Sequence, residues 1–192
     1  MNGTTRPRLV GLALVLVLGG CRAAPPAGVE PERVADYVYA VIQADRTVYA
    51  RHVVERLQDR EAVIRATEDY EQEKTLPLPA QMLRLGSQLA AERGELRYAL
   101  ISSWAINKAN LPKTDFERQG LEQVAADPTR PHRAHQTING RRWFLALYPD
   151  LAVSTACVNC HNRHPESTRR DFAEGDVMGG VVISLPLEGG AP

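Results

Sequence analysis

Apolar residues recur every three or four positions through the first part of the chain and crowd into short β-branched or aromatic runs through the second. From Pro31 to about Gln58, Val34, Val38, Val41, Val48 and Val53 recur at helical spacing among charges, so the pattern predicts one long amphipathic helix. A second helix is expected over Asp59 to Glu73, with Val63 and Ile64 as its apolar contribution. "LPLPAQ" interrupts the periodicity, and Pro79 suits the first turn of a further helix running to about Arg93, where Gly94 ends it. "ELRYALISSW" has the composition of a strand, and "KANLPK" that of a loop. Thr114-Asp115-Phe116-Glu117 is a capping box and predicts a helix to about Ala126. "DPTRPHRAH" reads as loop. In "HQTINGRRWFLALYP", Asn139-Gly140 separates two apolar runs and predicts a tight β-hairpin, and "GGVVISLPL" supplies a last strand. No internal repeat is present. Helices followed by antiparallel strands with helical insertions predict an α+β domain.

The first residues change this picture. Arg6 and Arg8 precede an uncharged run from Leu9 to Leu18, too short to span a bilayer comfortably and suited to the hydrophobic region of an export signal. The run ends in Leu18-Gly19-Gly20-Cys21, the form of a bacterial lipobox, in which the cysteine is lipidated and becomes the mature N-terminus. The expected organisation is a signal peptide over 1–20, a Pro- and Ala-rich tether over 21–31, one folded domain over 32–188 and a short tail over 189–192. Removing 1–20 takes away two arginines and no acid, leaving 21 basic against 23 acidic side chains, a formal net charge of −2. Such a balance does not suit phosphate-backbone binding, so no nucleic-acid partner is expected. The expected location is the periplasmic side of a bacterial membrane, held there by lipid on Cys21.

Chemistry concentrates in "TACVNCHNRH", residues 155–164, which holds two of the three cysteines and two of the five histidines. With Asp150 as a cap, a short helix through this stretch would place Cys157 and Cys160 one turn apart on one face, with His161 beside them. Both sulfurs could then reach the two vinyl groups of one haem while the imidazole reaches the iron. Cys-x-x-Cys-His is the sequence form of covalent haem c attachment. A zinc site would need four convergent ligands and lacks a second cysteine pair. A thioredoxin-like dithiol would need the cysteines at a helix N-terminus after a strand.

"LPLPAQMLRLG", "YALISSWAINKANLPKTDFERQGL", "RRWFLALYPDLAVSTACVNCHNRHPEST" and "DFAEGDVMGGVVISLPL" together resemble the Tll-type single-haem family, an exported PAS-like domain long catalogued as one of unknown function. The matching blocks run from about Asp36 to Leu187. Ala105 departs from the family, which favours proline there. The resemblance implies a PAS-like sheet behind a long N-terminal helix, one covalent haem c, and a part in sensing or electron transfer through a partner protein.

His161 is thus the expected proximal iron ligand. His52, at the edge of the long helix's stripe, and Met82 are the candidates for the second axial position, and axial identity governs potential and reactivity. Met178 lies between residues that would let the backbone approach a porphyrin, because Gly179 and Gly180 follow it. His132 and His135 fall in a predicted loop, and His164 suits a supporting role. Arg46, Arg84, Lys108 and Arg142 are candidate partners for haem propionates. No serine-protease-like triad or phosphate-binding glycine loop is present. The function expected is a redox or sensory haem module without turnover; the rivals are a peroxidase-like enzyme with an open distal site and a non-haem interaction module.

Overall fold

The computed structural model describes residues 28–187. The expected signal segment, Cys21, most of the tether and the tail lie outside the described residues. The chain folds as α+β around a four-stranded antiparallel sheet in the order β3–β6–β5–β4, formed by β3 (Arg97–Ile101), β4 (His132–Ile138), β5 (Arg141–Leu151) and β6 (Val177–Pro186). The Asn139-Gly140 hairpin forms as the sequence predicts, with positive φ at both residues (52° and 78°), as the twist of two antiparallel strands favours. β4 begins at His132, so the strand takes in the end of the stretch read as loop.

β5 is buried on both faces, which explains why "WFLALY" carries no polar alternation. Phe144, Ala146 and Tyr148 point to one side, where Ile42 of α1 (Pro31–Val48) and Leu83 of α3 (Pro79–Arg93) complete a core. Trp143, Leu145 and Leu147 point to the other, against Phe116, Leu121 and Val124 of α4 (Asp115–Ala126). The capping box of α4 is present: Glu117 N–H donates to Thr114 Oγ1 at 3.2 Å, and Thr114 N–H to Glu117 Oε2 at 3.1 Å.

The long N-terminal helix is continuous to Arg60, but from Tyr49 it winds as a π-helix. Its buried face is also not the valine stripe. Ala35, Ile42, Arg46, Ala50 and Val54 face the domain, whereas Val41 and Val48 are 61% and 55% exposed. Small alanines permit closer approach to the sheet than valines would, and the sequence pattern gave them no weight.

The helix expected over Asp59 to Glu73 is absent. After Ala62, in a left-handed conformation, come β1 (Ala66–Thr67), a single helical turn α2 (Tyr70–Glu73) and β2 (Leu76–Pro77), which pairs in parallel with β1. Val63 and Ile64 are adjacent and cannot build a stripe, and Val63 is left 68% exposed. Gly94 ends α3 in an extended conformation (φ −168°) rather than a left-handed one.

Candidate functional site

A register shift between Asp150 and Leu151 ends the regular pairing of β5 with β6, and a bulge of this kind re-aims the chain. Ala152 is then fixed by its N–H to Asp176 O (2.8 Å), and its carbonyl accepts from Gly175 (2.9 Å). Ser154, extended, opens α5 (Thr155–Arg163). Asp150 is therefore a strand residue and not the helix cap. Its carboxylate instead accepts from Arg46 Nε (2.6 Å) and Nη2 (2.9 Å). α5 stops because His164 precedes Pro165, whose ring pushes the preceding residue to extended geometry (φ −64°, ψ 132°).

Along α5, Cys157, Cys160, His161 and His164 recur at three- and four-residue intervals and border one cavity of about 1050 Å³. The walls opposite come from distant segments. Arg46, Val54 and Gln58 belong to the long N-terminal helix, Thr67, Glu68 and Asp69 to the β1–α2 segment, and Ala105, Ile106 and Asn107 to the loop after β3.

Cys157 is buried, with Sγ 3.4 Å from Ser154 Oγ, whereas Cys160 is exposed at the cavity edge; both thiols are free. The surrounding protein pushes the Cys160 thiol up, reinforced by Cys157 and Glu68. Burial lowers the pKa of His161 against the opposing pull of Asp150, and Arg46 and His164 lower it further. A depressed imidazole is neutral at pH 7, the form able to ligate a metal. Burial opposes the charge on Arg46, yet Asp150, paired with it at 2.6 Å, raises the guanidinium above its ordinary value.

Among the described residues, two buried side-chain polar atoms have no hydrogen-bond partner: Nδ1 of His161 and Nη1 of Arg46. Both residues border the same cavity. Buried polar atoms are almost always paired, so the orphaned guanidinium N–H of Arg46 at the cavity wall marks the chemistry of a missing group. The guanidinium N–H fits a carboxylate on a large group, and His161, neutral at pH 7, has its other ring nitrogen, Nε2, to offer a metal. Two thiols on the same wall suit covalent attachment of that group, and the residues therefore fit haem c.

Not every candidate is brought to the site. Arg84, Lys108, His164 and Met178 border the cavity with Arg46; Arg142, on β5, does not. Neither His52 nor Met82 reaches it. His52 is exposed because it lies off the buried Arg46–Ala50–Val54 face, and half-buried Met82 points elsewhere from α3. The cavity lining therefore lends no support to the expectation that one of them is the second axial ligand. His132 and His135 are strand residues rather than loop residues. His132 Nδ1 lies 3.0 Å from Gln123 Oε1 with the ring against Phe116, and His135 packs on Phe144. Gly179 and Gly180 serve close packing within the fold: a Cβ at either would collide with the Ile101 carbonyl or with Leu147. Ala105, where the chain departs from the family pattern, is buried in the cavity wall. Gln58, Thr67 and Ile106 had no signal in the sequence, since only the folded chain joins their segments.

The profile of the Tll0287-like family matches residues 27–186. The fold is similar to the crystal structure of the cyanobacterial heme-protein Tll0287, with a TM-score of 0.54 and 16% identity over 85% of this chain and 100% of that one. No curated protein matches the chain.

Proposed function

Because this chain belongs to the Tll0287-like family, we propose that it is a monohaem c-type cytochrome with a PAS-like domain, exported and held at a bacterial membrane by lipid on Cys21. It acts as a redox or sensory module, exchanging one electron or responding to a ligand and passing the change to a partner protein. The observation that carries this reading is the convergence of Cys157, Cys160 and His161 on a cavity whose wall also holds the unpaired Nη1 of Arg46.

In this reading Cys157 and Cys160 hold the macrocycle through thioethers and His161 supplies the proximal nitrogen. When bound, haem supplies one-electron chemistry at iron, tuned by its axial ligands and by burial. Arg46, kept charged by Asp150, offers Nη1 to a propionate. Burial keeps His161 neutral, and Val54 and Ala105 on the surrounding walls exclude water. The Cys157 hydrogen-bond partner, Ser154, holds the first thiol in place at the start of α5.

Haem staining of the denatured protein, made in cells with haem-attachment machinery, tests the proposal. A coloured band is expected, lost in the Cys157→Ala/Cys160→Ala variant. A colourless parent band would overturn it. Anchoring is tested separately: Cys21→Ser should move the protein from the membrane to the soluble fraction with its haem retained, and unchanged membrane association would reject the lipid anchor.

A further inference from the structure

We propose that Phe172, pinned in place by Asn162, sets the plane of the His161 imidazole in the haem site. The inference rests on the haem reading above and concerns how its proximal ligand is oriented. A ligating histidine ordinarily donates its second ring N–H to a carbonyl or carboxylate, which locks the ring. Here Nδ1 of His161 is buried and has no such partner among the described residues. Rotation about the Cβ–Cγ bond is intrinsically soft, so packing has to decide the ring's orientation.

That packing is specific. Phe172 is 4% exposed, and its ring meets His161 edge to face, with centroids 5.9 Å apart and planes at 89°. Perpendicular rings are the arrangement their quadrupoles favour, and turning the imidazole would lose that contact. Phe172 lies in a segment without regular structure, so something must hold it. Asn162, the neighbour of His161 on α5, does so twice. Its Nδ2 donates to Phe172 O (2.9 Å), and its Oδ1 accepts from Phe172 N–H (3.0 Å). The helix that carries the ligand thereby clamps the residue that orients it. Phe172 is braced in turn by Trp104, edge to face at 5.8 Å, and by Arg169, whose guanidinium carbon lies 4.3 Å from the phenyl centroid and 4.9 Å from the Trp104 ring. Asp171 and Asp176 hold Arg169 there at 2.8 and 3.3 Å.

The plane of an axial imidazole governs the rhombic splitting of ferric iron, so the ferric electron paramagnetic resonance spectrum of the holoprotein reads it directly. Phe172→Leu should change the spread of g-values and shift the reduction midpoint while covalent haem content stays at the parental level. Phe172→Tyr, which keeps the ring, should retain the parental g-values. Asn162→Ala should move the spectrum in the same direction as Phe172→Leu, and it decides the question if the leucine variant does not fold. Parental g-values in Phe172→Leu, or in Asn162→Ala where that variant decides, would overturn the assignment. A parent protein without covalent haem would instead overturn the haem reading, so the two failures are distinguishable.

Discussion

At the scale of single residues, the buried Arg46–Asp150 pair couples the long helix to the end of β5. Removing one partner of a buried, hydrogen-bonded ion pair leaves an uncompensated charge and costs ~3–5 kcal/mol. Arg46→Met should lose stability of that order, while Arg46→Met/Asp150→Leu should recover most of it, as urea denaturation would measure. Asp150 also shows why part of the site was illegible. In the sequence it stands just ahead of an apolar turn and looks like a helix cap; its actual partner is 104 positions away. A pair of tyrosines gives the fold a pH dependence at its alkaline end. Tyr39 and Tyr148 stack at 4.3 Å. Burial, with help from Asp150, pushes Tyr39 up to about 12; burial, then the hydrogen bond to Asp36, raises Tyr148 as well. The folded state therefore holds these protons more tightly than the unfolded chain does. Their contribution is complete below about pH 10, the ordinary tyrosine value, and is lost as pH rises through the folded values. Unfolding free energies measured from pH 8 to 11 should decline above pH 10, and Tyr148→Phe should flatten that decline.

At the scale of elements, what the sequence revealed is what local chemistry decides. The capping box at Thr114 predicts α4, and Thr114→Ala should cost ~1 kcal/mol in chemical denaturation. Asn139-Gly140 predicts the hairpin, and Gly140→Ala should cost about 1–2 kcal/mol because a Cβ at φ +78° strains the turn. Both values test whether these signals act locally, since Thr114 and Gly140 lie on the exposed surface. Where burial by distant partners decides, the pattern misled. Val41 and Val48 looked like the packed face of the long helix, yet Ala35 and Ala50 are the residues against the domain, and no periodicity of apolar size distinguishes them. The segment 59–73 failed for a related reason: helix-favouring charges around Val63 and Ile64 have no apolar face to bury. The Cys157–Cys160–His161 set was legible because all three lie within five residues. The cavity they border was not, because its other walls come from the long N-terminal helix, the β1–α2 segment and the loop after β3.

At the scale of the whole molecule, that cavity determines how the parts depend on one another. It measures about 1050 Å³, at the upper end of ordinary ligand sites, and meets the core cluster of Ala50, Ala152, Cys157, Phe172 and Met178. Its polar and charged walls face solvent, but apolar side chains such as Val54, Ile101, Ala105 and Met178 border it too, and a bound group would cover them. A haem held there by two thioethers would act as core. Every ~100 Å² of apolar surface it removes from water contributes ~2.5 kcal/mol, and in a domain of this size each kcal/mol raises the melting temperature by ~2–4 °C. A group bound by the folded state alone shifts the folding equilibrium in the same direction. Protein made with haem attachment should therefore melt at least ~5 °C above the Cys157→Ala/Cys160→Ala variant made without it. The comparison needs one control, since the alanines themselves change the wall: the same double variant should melt within a degree or two of parent chain made without haem, about the shift expected for less than 1 kcal/mol. With that control satisfied, equal melting temperatures for haem-loaded and haem-free parent chain would mean that the bound group is not packed in this cavity, and that the N-terminal helix, the β1–α2 segment and the loop after β3 are held together by the polypeptide alone.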